Sequence, residues 1–128
     1  MTASPHTAEL LVREGFAWHC DYADRDLPYR HETSAGPIVA VPFTMEVNDM
    51  PLYVRYGNAP EMFTGVLRRL LDGWSQPHNA PGCLDVTVHA HVFGRPFGAI
   101  ELRAALDLVR LRDEIWVTTH AALAALYA

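Results

Sequence analysis

Two histidines, His89 and His91, close the apolar stretch 84–91, and Gly94-Arg95-Pro96 follows them. An imidazole titrates near neutrality, so a histidine at a strand end can pass a proton to a departing group at pH 7. On a regular strand, residues two apart share a face, which would set His91 beside His89. The pair could contribute two ligands to a metal, with a third from His78 or Asp85. A catalytic zinc site keeps three protein ligands, so no metal site is expected in this chain alone. Asp49 could serve as a base if burial raised its pKa, or as a loop carboxylate capping backbone amides. Asp21, Asp24 and Asp26 read as a solvated acidic turn, with Trp18 and Tyr22 beside it as candidates for substrate contact. Trp74 and Trp116 fall at apolar-periodic positions and are expected in the core. The spacings needed for a serine nucleophile elbow, a phosphate loop or a zinc finger are absent.

The elements that must position these residues alternate. Ser4 suits an N-cap, Pro5 the first helical position and Gly15 the C′ position, predicting a helix over 5–14 with Leu10 and Leu11 on its buried side. Residues 16–20 read as a strand and 21–36 as a polar loop whose Pro and Gly exclude regular structure. The apolar run 37–43 reads as a strand covered on both faces, with Pro42 at its end or on an edge. An irregular stretch, "TMEVNDMPLY", follows. Asn58 and Glu61 have capping-box spacing for a helix to about Trp74, with Phe63, Val66, Leu67, Leu70, Leu71 and Trp74 as its apolar stripe. Residues 75–82 form a turn-rich connector. Then come a strand over 83–91, a helix over about 99–111 with Leu102, Leu106 and Val109 inward, a strand over 114–118, and a closing helix over 120–127. The order α-β-β-α-β-α-β-α places His89 at the carboxyl end of a strand, where such folds carry their chemistry.

The chain has 128 residues, half of them apolar and a fifth charged, which bounds it to one domain of ordinary globular composition. A net charge of −5 argues against nucleic acid or an anionic membrane surface as the main partner. No apolar run approaches a membrane span and the start lacks a secretory pattern, so a cytoplasmic location is expected. Cys20 and Cys83 stand in no metal-type spacing and read as free thiols of a reducing compartment. About four parallel strands cannot close a barrel that normally needs eight strands and about 250 residues. Either another copy completes the sheet, or the chain is a piece of something larger.

Four segments carry a family resemblance. "SPHTAELLVREGFAWHCDYADRDLPY", "VPFTMEVNDMPLY", "VTVHAHVFGRP" and "DEIWVTTHAALA" occur in the order and spacing of the C-terminal half of polysaccharide deacetylases. The chain resembles that NodB-like family, nearest to its peptidoglycan deacetylase-like and allantoinase-like branch. The resemblance implies an α/β fold, the C-terminal portion of a distorted (β/α) barrel of glycoside hydrolase/deacetylase type, with residues 1–128 one partial domain. It implies hydrolysis of a non-peptide amide C–N bond, commonly an N-acetyl group on a sugar. By the same resemblance His89 is the general acid toward the departing amine, Asn48 and Asp49 line the pocket, and Arg95 lies on the turn behind the histidine.

The family's early part supplies a base aspartate beside a metal-binding aspartate, a His-x-x-x-His pair and an arginine that orients the base. Those residues are not found here: no two of the seven histidines are three or four apart. The expectation is therefore a hydrolase by descent that is catalytically incomplete as this chain. No cofactor is expected in it, although the full-length family often uses a divalent metal such as zinc. A small amide or N-acetyl sugar would be the substrate of an active form. The alternative is a non-catalytic assembly or binding module, or a truncated product, that forms a homo-oligomer or pairs with a missing N-terminal half.

Overall fold

The computed structural model describes residues 3–75 and 82–128. Residues 76–81, with most of the predicted connector and His78, lie outside the described residues. The chain divides into two compact units, one made of residues up to Phe43 together with Val117–Ala128, the other Thr44–Trp116.

The first unit opens on helix α1, Thr7–Arg13. It starts later than the sequence implied because Ser4 turns inward on itself. The Ser4 carbonyl accepts the Thr7 N–H at 3.0 Å, and its hydroxyl takes the His6 N–H at 3.3 Å instead of capping the helix. The predicted C-terminus is correct in detail: Gly15 has φ +81°, its N–H donates to the Val12 carbonyl, and the Phe16 N–H reaches the Leu11 carbonyl. That pair of bonds is a Schellman ending, which a residue with a Cβ would strain. Ala8, rather than Leu10, is the buried residue of this short helix.

A three-stranded sheet follows, built from β1 (Trp18–His19), β2 (Tyr29–Thr33) and β3 (Gly36–Ala40) in the order β1-β3-β2. β1 runs parallel to β3, as an alternating fold requires, but β2 is antiparallel to it. The segment read as structureless loop therefore contains a strand, and the sheet is mixed rather than purely parallel. Pro28 and Gly36 flank β2 and do not interrupt it, and its residues alternate half-buried and exposed as a half-covered strand does. The hairpin is closed by Thr33, whose hydroxyl donates to the Gly36 carbonyl at 2.6 Å and accepts the Ala35 N–H. Ile38, Val39, Ala40 and Val41 are buried, and Pro42 falls beyond the strand end. Val39, Val41 and Ala124 form a small core against Trp18, Leu123 and Tyr127. Ala124 lies on the closing helix α4, His120–Ala124, capped by the Thr119 hydroxyl accepting the Ala122 N–H.

In the second unit, Met50–Arg55 is a π-helical turn in the stretch read as irregular. Helix α2 spans Glu61–Trp74 and α3 spans Pro96–Arg110. Asn58 does not cap α2; its side-chain amide donates to the Leu52 carbonyl at 2.9 Å and ties the end of the π-helical turn. Phe63, Leu67 and Leu71 of α2 pack with Ala105 and Leu108 of α3, and Val47, Val92 and Phe93 complete the core. Each fully buried large apolar side chain stabilises by about 1.5–3 kcal/mol. The face of α3 is in part the expected one: Val109 packs on this core and Leu102 is half-buried, but Leu106 is 53% exposed, and Ala105 and Leu108 are buried instead. Gly98 in its first turn lies directly on Phe93.

Two predicted strands do not form ladders. Residues 83–91 make one bridge among the described residues, Thr87 parallel to Asn48, and the chain turns from Ala90 onward. Residues 114–118 pair with no strand among the described residues, and Trp116 is 59% exposed rather than in the core. A strand needs a neighbour for its backbone groups, and neither segment has one along its length. No described helix is long and apolar enough to cross a membrane.

Candidate functional site

The bridge between Asn48 and Thr87 brings together two residues thirty-nine apart in sequence. The Thr87 N–H donates to the Val47 carbonyl at 3.0 Å, and the Asp49 N–H to the Thr87 carbonyl at 3.3 Å. This short parallel pairing aligns Asp49 with His89. One oxygen of the Asp49 carboxylate accepts the His89 backbone N–H at 2.7 Å, and the other meets His89 Nδ1 at 2.6 Å. Asp49 is fully buried, whereas the His89 side chain is 35% exposed. A carboxylate has only acceptors, so the bond at Nδ1 requires a proton there and leaves Nε2 as the free ring nitrogen. The imidazole is therefore fixed in orientation and tautomer, with Nε2 directed away from the carboxylate.

The turn beyond His89 is equally constrained. The His89 carbonyl accepts the N–H groups of both Val92 and Phe93 at 2.9 Å, wrapping the chain tightly into α3. A Cβ on Gly94 would stand 2.1 Å from the Ala90 carbonyl oxygen, so only glycine fits. Upstream, the Asp85 N–H donates to the Thr44 hydroxyl at 2.9 Å, and the Thr87 hydroxyl bonds the Asp85 carboxylate at 3.3 Å. These contacts hold the segment that carries His89 without the support of a full ladder.

Of the residues singled out in the sequence, the structure brings Asp49 and His89 into contact. Asn48 is buried beside them in sequence, but its side-chain oxygen accepts the Met50 N–H at 3.0 Å, an Asx turn that starts the π-helical segment. Arg95 is exposed and sits as the N-cap of α3, its carbonyl accepting the Ala99 N–H. His91 is exposed in the turn, with its ring centroid 5.7 Å from that of His89. The expected shared strand face is lost because the strand ends before it. Among the described residues no three of His, Cys, Asp and Glu gather as a metal centre would require. The described residues thus offer no ligand set for the divalent metal that the resemblance implies for full-length proteins.

The first unit holds a second polar group that spacing did not reveal. His19 on β1 is buried, its Nδ1 accepts the Asp21 N–H at 3.4 Å, and its Nε2 has no hydrogen-bond partner among the described residues. Burial holds its imidazole below the usual range, against the pull of Asp21. Tyr22 lies edge-on to the ring at 4.6 Å and also meets His31. Asp21, Tyr22, Ala23, Asp24, Arg25, Tyr29 and His31 line a broad concavity of about 610 Å³. Within it the Tyr29 hydroxyl donates to Asp24 at 2.9 Å; burial and that bond push the phenol up to about 12. The loop read as a bare solvated turn is thus an organised surface. Tyr22 lines the concavity, while Trp18 stacks instead on His120. Neither Cys20 nor Cys83 forms a disulfide among the described residues, and burial pushes the Cys83 thiol up.

The fold is an α/β one built like that of the polysaccharide deacetylases, the NodB-like family that the chain's motifs resemble. Three solved structures make the comparison particular. A probable polysaccharide deacetylase from Pseudomonas aeruginosa PAO1 matches 96% of this chain at 28% identity and a TM-score of 0.84. Puue allantoinase matches the same share at 26% identity and 0.85, and a Mycobacterium smegmatis protein assigned as a polysaccharide deacetylase at 25% and 0.80. The chain spans less than half of each, 43%, 42% and 45% respectively. No family model and no curated protein matches the sequence.

Proposed function

We propose that this chain is the proton-donating portion of a hydrolase that cleaves a non-peptide amide C–N bond, built as part of a (β/α) barrel. The observation that carries the reading is the double bond from buried Asp49 to His89, which leaves Nε2 as the free nitrogen of a half-exposed ring. An amine leaves a tetrahedral intermediate poorly unless its nitrogen is protonated as the C–N bond breaks. A protonated His89 would give its Nε2 proton to that nitrogen, while Asp49 steadies the ring and the charge it carries. Asn48 and Arg95, on either side in sequence, would shape the surroundings of the departing group.

The water that attacks the carbonyl needs a base, and no group in this chain is assigned that role. The chain covers under half of its solved neighbours, so base and ligands would come from the part it does not span. By itself the chain is expected to release little or no amine. The test is a chimera in which this chain replaces the matching part of one solved neighbour. It should hydrolyse an N-acetyl sugar or a cyclic ureide, and His89→Ala should slow that hydrolysis by about 10²–10⁴-fold, the usual contribution of one general acid. A folded chimera equally active with and without His89 would remove the reading.

A further inference from the structure

The concavity of the first unit is lined wholly from residues 21–31, the loop after β1 and the start of β2. Tyr22 and Tyr29 are its aromatic walls. Two imidazoles hold Tyr22 edge-on, with ring centroids 4.6 Å away at His19 and 5.4 Å away at His31. Tyr29 is tied by its hydroxyl to Asp24. Walls fixed in this way lower the ordering cost of a ligand. Arg25 lies over the face of Tyr29, its guanidinium carbon 4.2 Å from the ring centroid. Among the described residues neither Asp21 nor Asp24 forms an ion pair, with Arg25 or any other cation.

These features select an occupant. Two carboxylates without a contacting cation repel an anion. No three of His, Cys, Asp and Glu gather among the described residues, so a metal ion lacks its ligand set. A neutral ring would need the face of Tyr29, where a cation already lies. A flat cation answers both the ring and the charge, since it stacks on a phenol and gives N–H donors to carboxylates. Arg25 demonstrates the fit, because the chain's own guanidinium rests on that ring. We propose that this concavity binds a guanidinium group carried by another molecule, which displaces Arg25 from Tyr29 and pairs with Asp21 and Asp24. Arg25 is a resident competitor for the site. The proposal stands apart from the reading of His89 as an acid.

The test titrates the chain at constant ionic strength and follows its amide and ring resonances by NMR. Ethylguanidinium and the blocked tripeptide Gly-Arg-Gly present the group from a free molecule and from a chain. Saturable shifts at Tyr22, Tyr29 and His31 are expected, and the tighter probe names the source of the group. Arg25 is exposed and outside every strand, so Arg25→Ala leaves the fold in place and removes the competitor. It should bind about 2–5-fold more tightly, the factor that an exposed cation–π contact is worth. Tyr29→Leu removes the ring face and should bind more weakly by about the same factor, whereas Tyr29→Phe keeps the face and should lose less. Absence of saturable shifts with both probes overturns the proposal. Equal shifts with ethylammonium, acetate or N-acetylglucosamine overturn it as well, and so does an Arg25→Ala chain that binds no tighter than the parent. None of these readouts involves turnover, so their failure is distinct from a failure of His89 to act.

Discussion

Asp49 and His89 are joined twice, once through the backbone N–H of His89 and once through its ring, and both carboxylate oxygens are engaged by this one residue. The backbone bond can only run from nitrogen to oxygen. It therefore fixes which way the carboxylate turns, and the second oxygen is left to meet Nδ1.

That geometry gives a sharp outcome for Asp49→Asn. The amide oxygen must stay on the His89 backbone N–H, because the alternative sets two donors face to face. The amide NH₂ then points at Nδ1, which must accept, and the ring proton moves to Nε2. Nitrogen chemical shifts of the neutral imidazole should report Nδ1–H in the parent protein and Nε2–H in the variant. Identical ring shifts in the two proteins would contradict the assignment. In the active chimera the same change should reduce turnover, as loss of a correctly held tautomer does in other acid–base pairs.

Glycine substitutions should divide by position. At Gly94 a methyl would sit 2.1 Å from the Ala90 carbonyl oxygen, and at Gly98 it would sit 2.4 Å from Phe93 Cα, both backbone atoms that cannot swing aside. Gly94→Ala and Gly98→Ala should each destabilise by about 3 kcal/mol or by the upper end of overpacking costs. Gly65 and Gly73 lie in α2 with nothing within 4 Å of an added Cβ. There alanine should stabilise by about 0.5–1 kcal/mol through the unfolded chain. Urea denaturation of the four variants checks all of these signs together.

What the sequence made legible was mostly local. The Schellman end at Gly15 and the stripe Phe63, Leu67, Leu71 depend on spacing alone, and both are as read. β2 was hidden because Pro28 and Gly36 look like breakers, although they only bound the strand. The strands at 83–91 and 114–118 have strand composition without ladder partners, which composition cannot disclose. At the site, the identities of Asp49 and His89 were visible and their pairing was not. It rests on one parallel bridge between positions 48 and 87, a contact without any local periodicity. The polar surface around His19, Tyr22 and His31 was concealed for a like reason, since it needs the hairpin to bring its parts together.

Arg112 should prove the main polar tie across the end of α2. Its guanidinium contacts Asp72 and donates to the Ser75 hydroxyl at 3.1 Å, while its side chain is only 17% exposed. Lysine cannot reproduce a fork that reaches two acceptors at once. Arg112→Lys keeps the charge and loses the fork, so it should cost about 0.5–1 kcal/mol at low and high salt alike, whereas Arg112→Gln should lose an additional part that salt screens. Thermal melts at low and high ionic strength check this; an Arg112→Lys loss that vanishes at high salt would show that the fork plays no part.

His19 should give stability a pH dependence of definite sign. Burial is the largest influence on its imidazole and holds it below the ordinary 6.5, with Asp21 and Asp24 opposing and His31 reinforcing. The unfolded chain therefore takes up a proton first as pH falls. Stability is fully present above 6.5, declines as pH drops through the lower folded value, and changes no further from this group below it. Each unit of separation between the two states is worth about 1.4 kcal/mol. His19→Phe keeps a ring against Tyr22 and removes both the titration and the partnerless Nε2. An apolar ring relieves a buried group of its desolvation cost, so the variant should be no less stable than the parent at pH 5. The difference between parent and variant, measured by denaturation from pH 8 to pH 5, isolates His19 from the other histidines. A flat difference over that range would mean that His19 takes its proton equally in the folded and unfolded states.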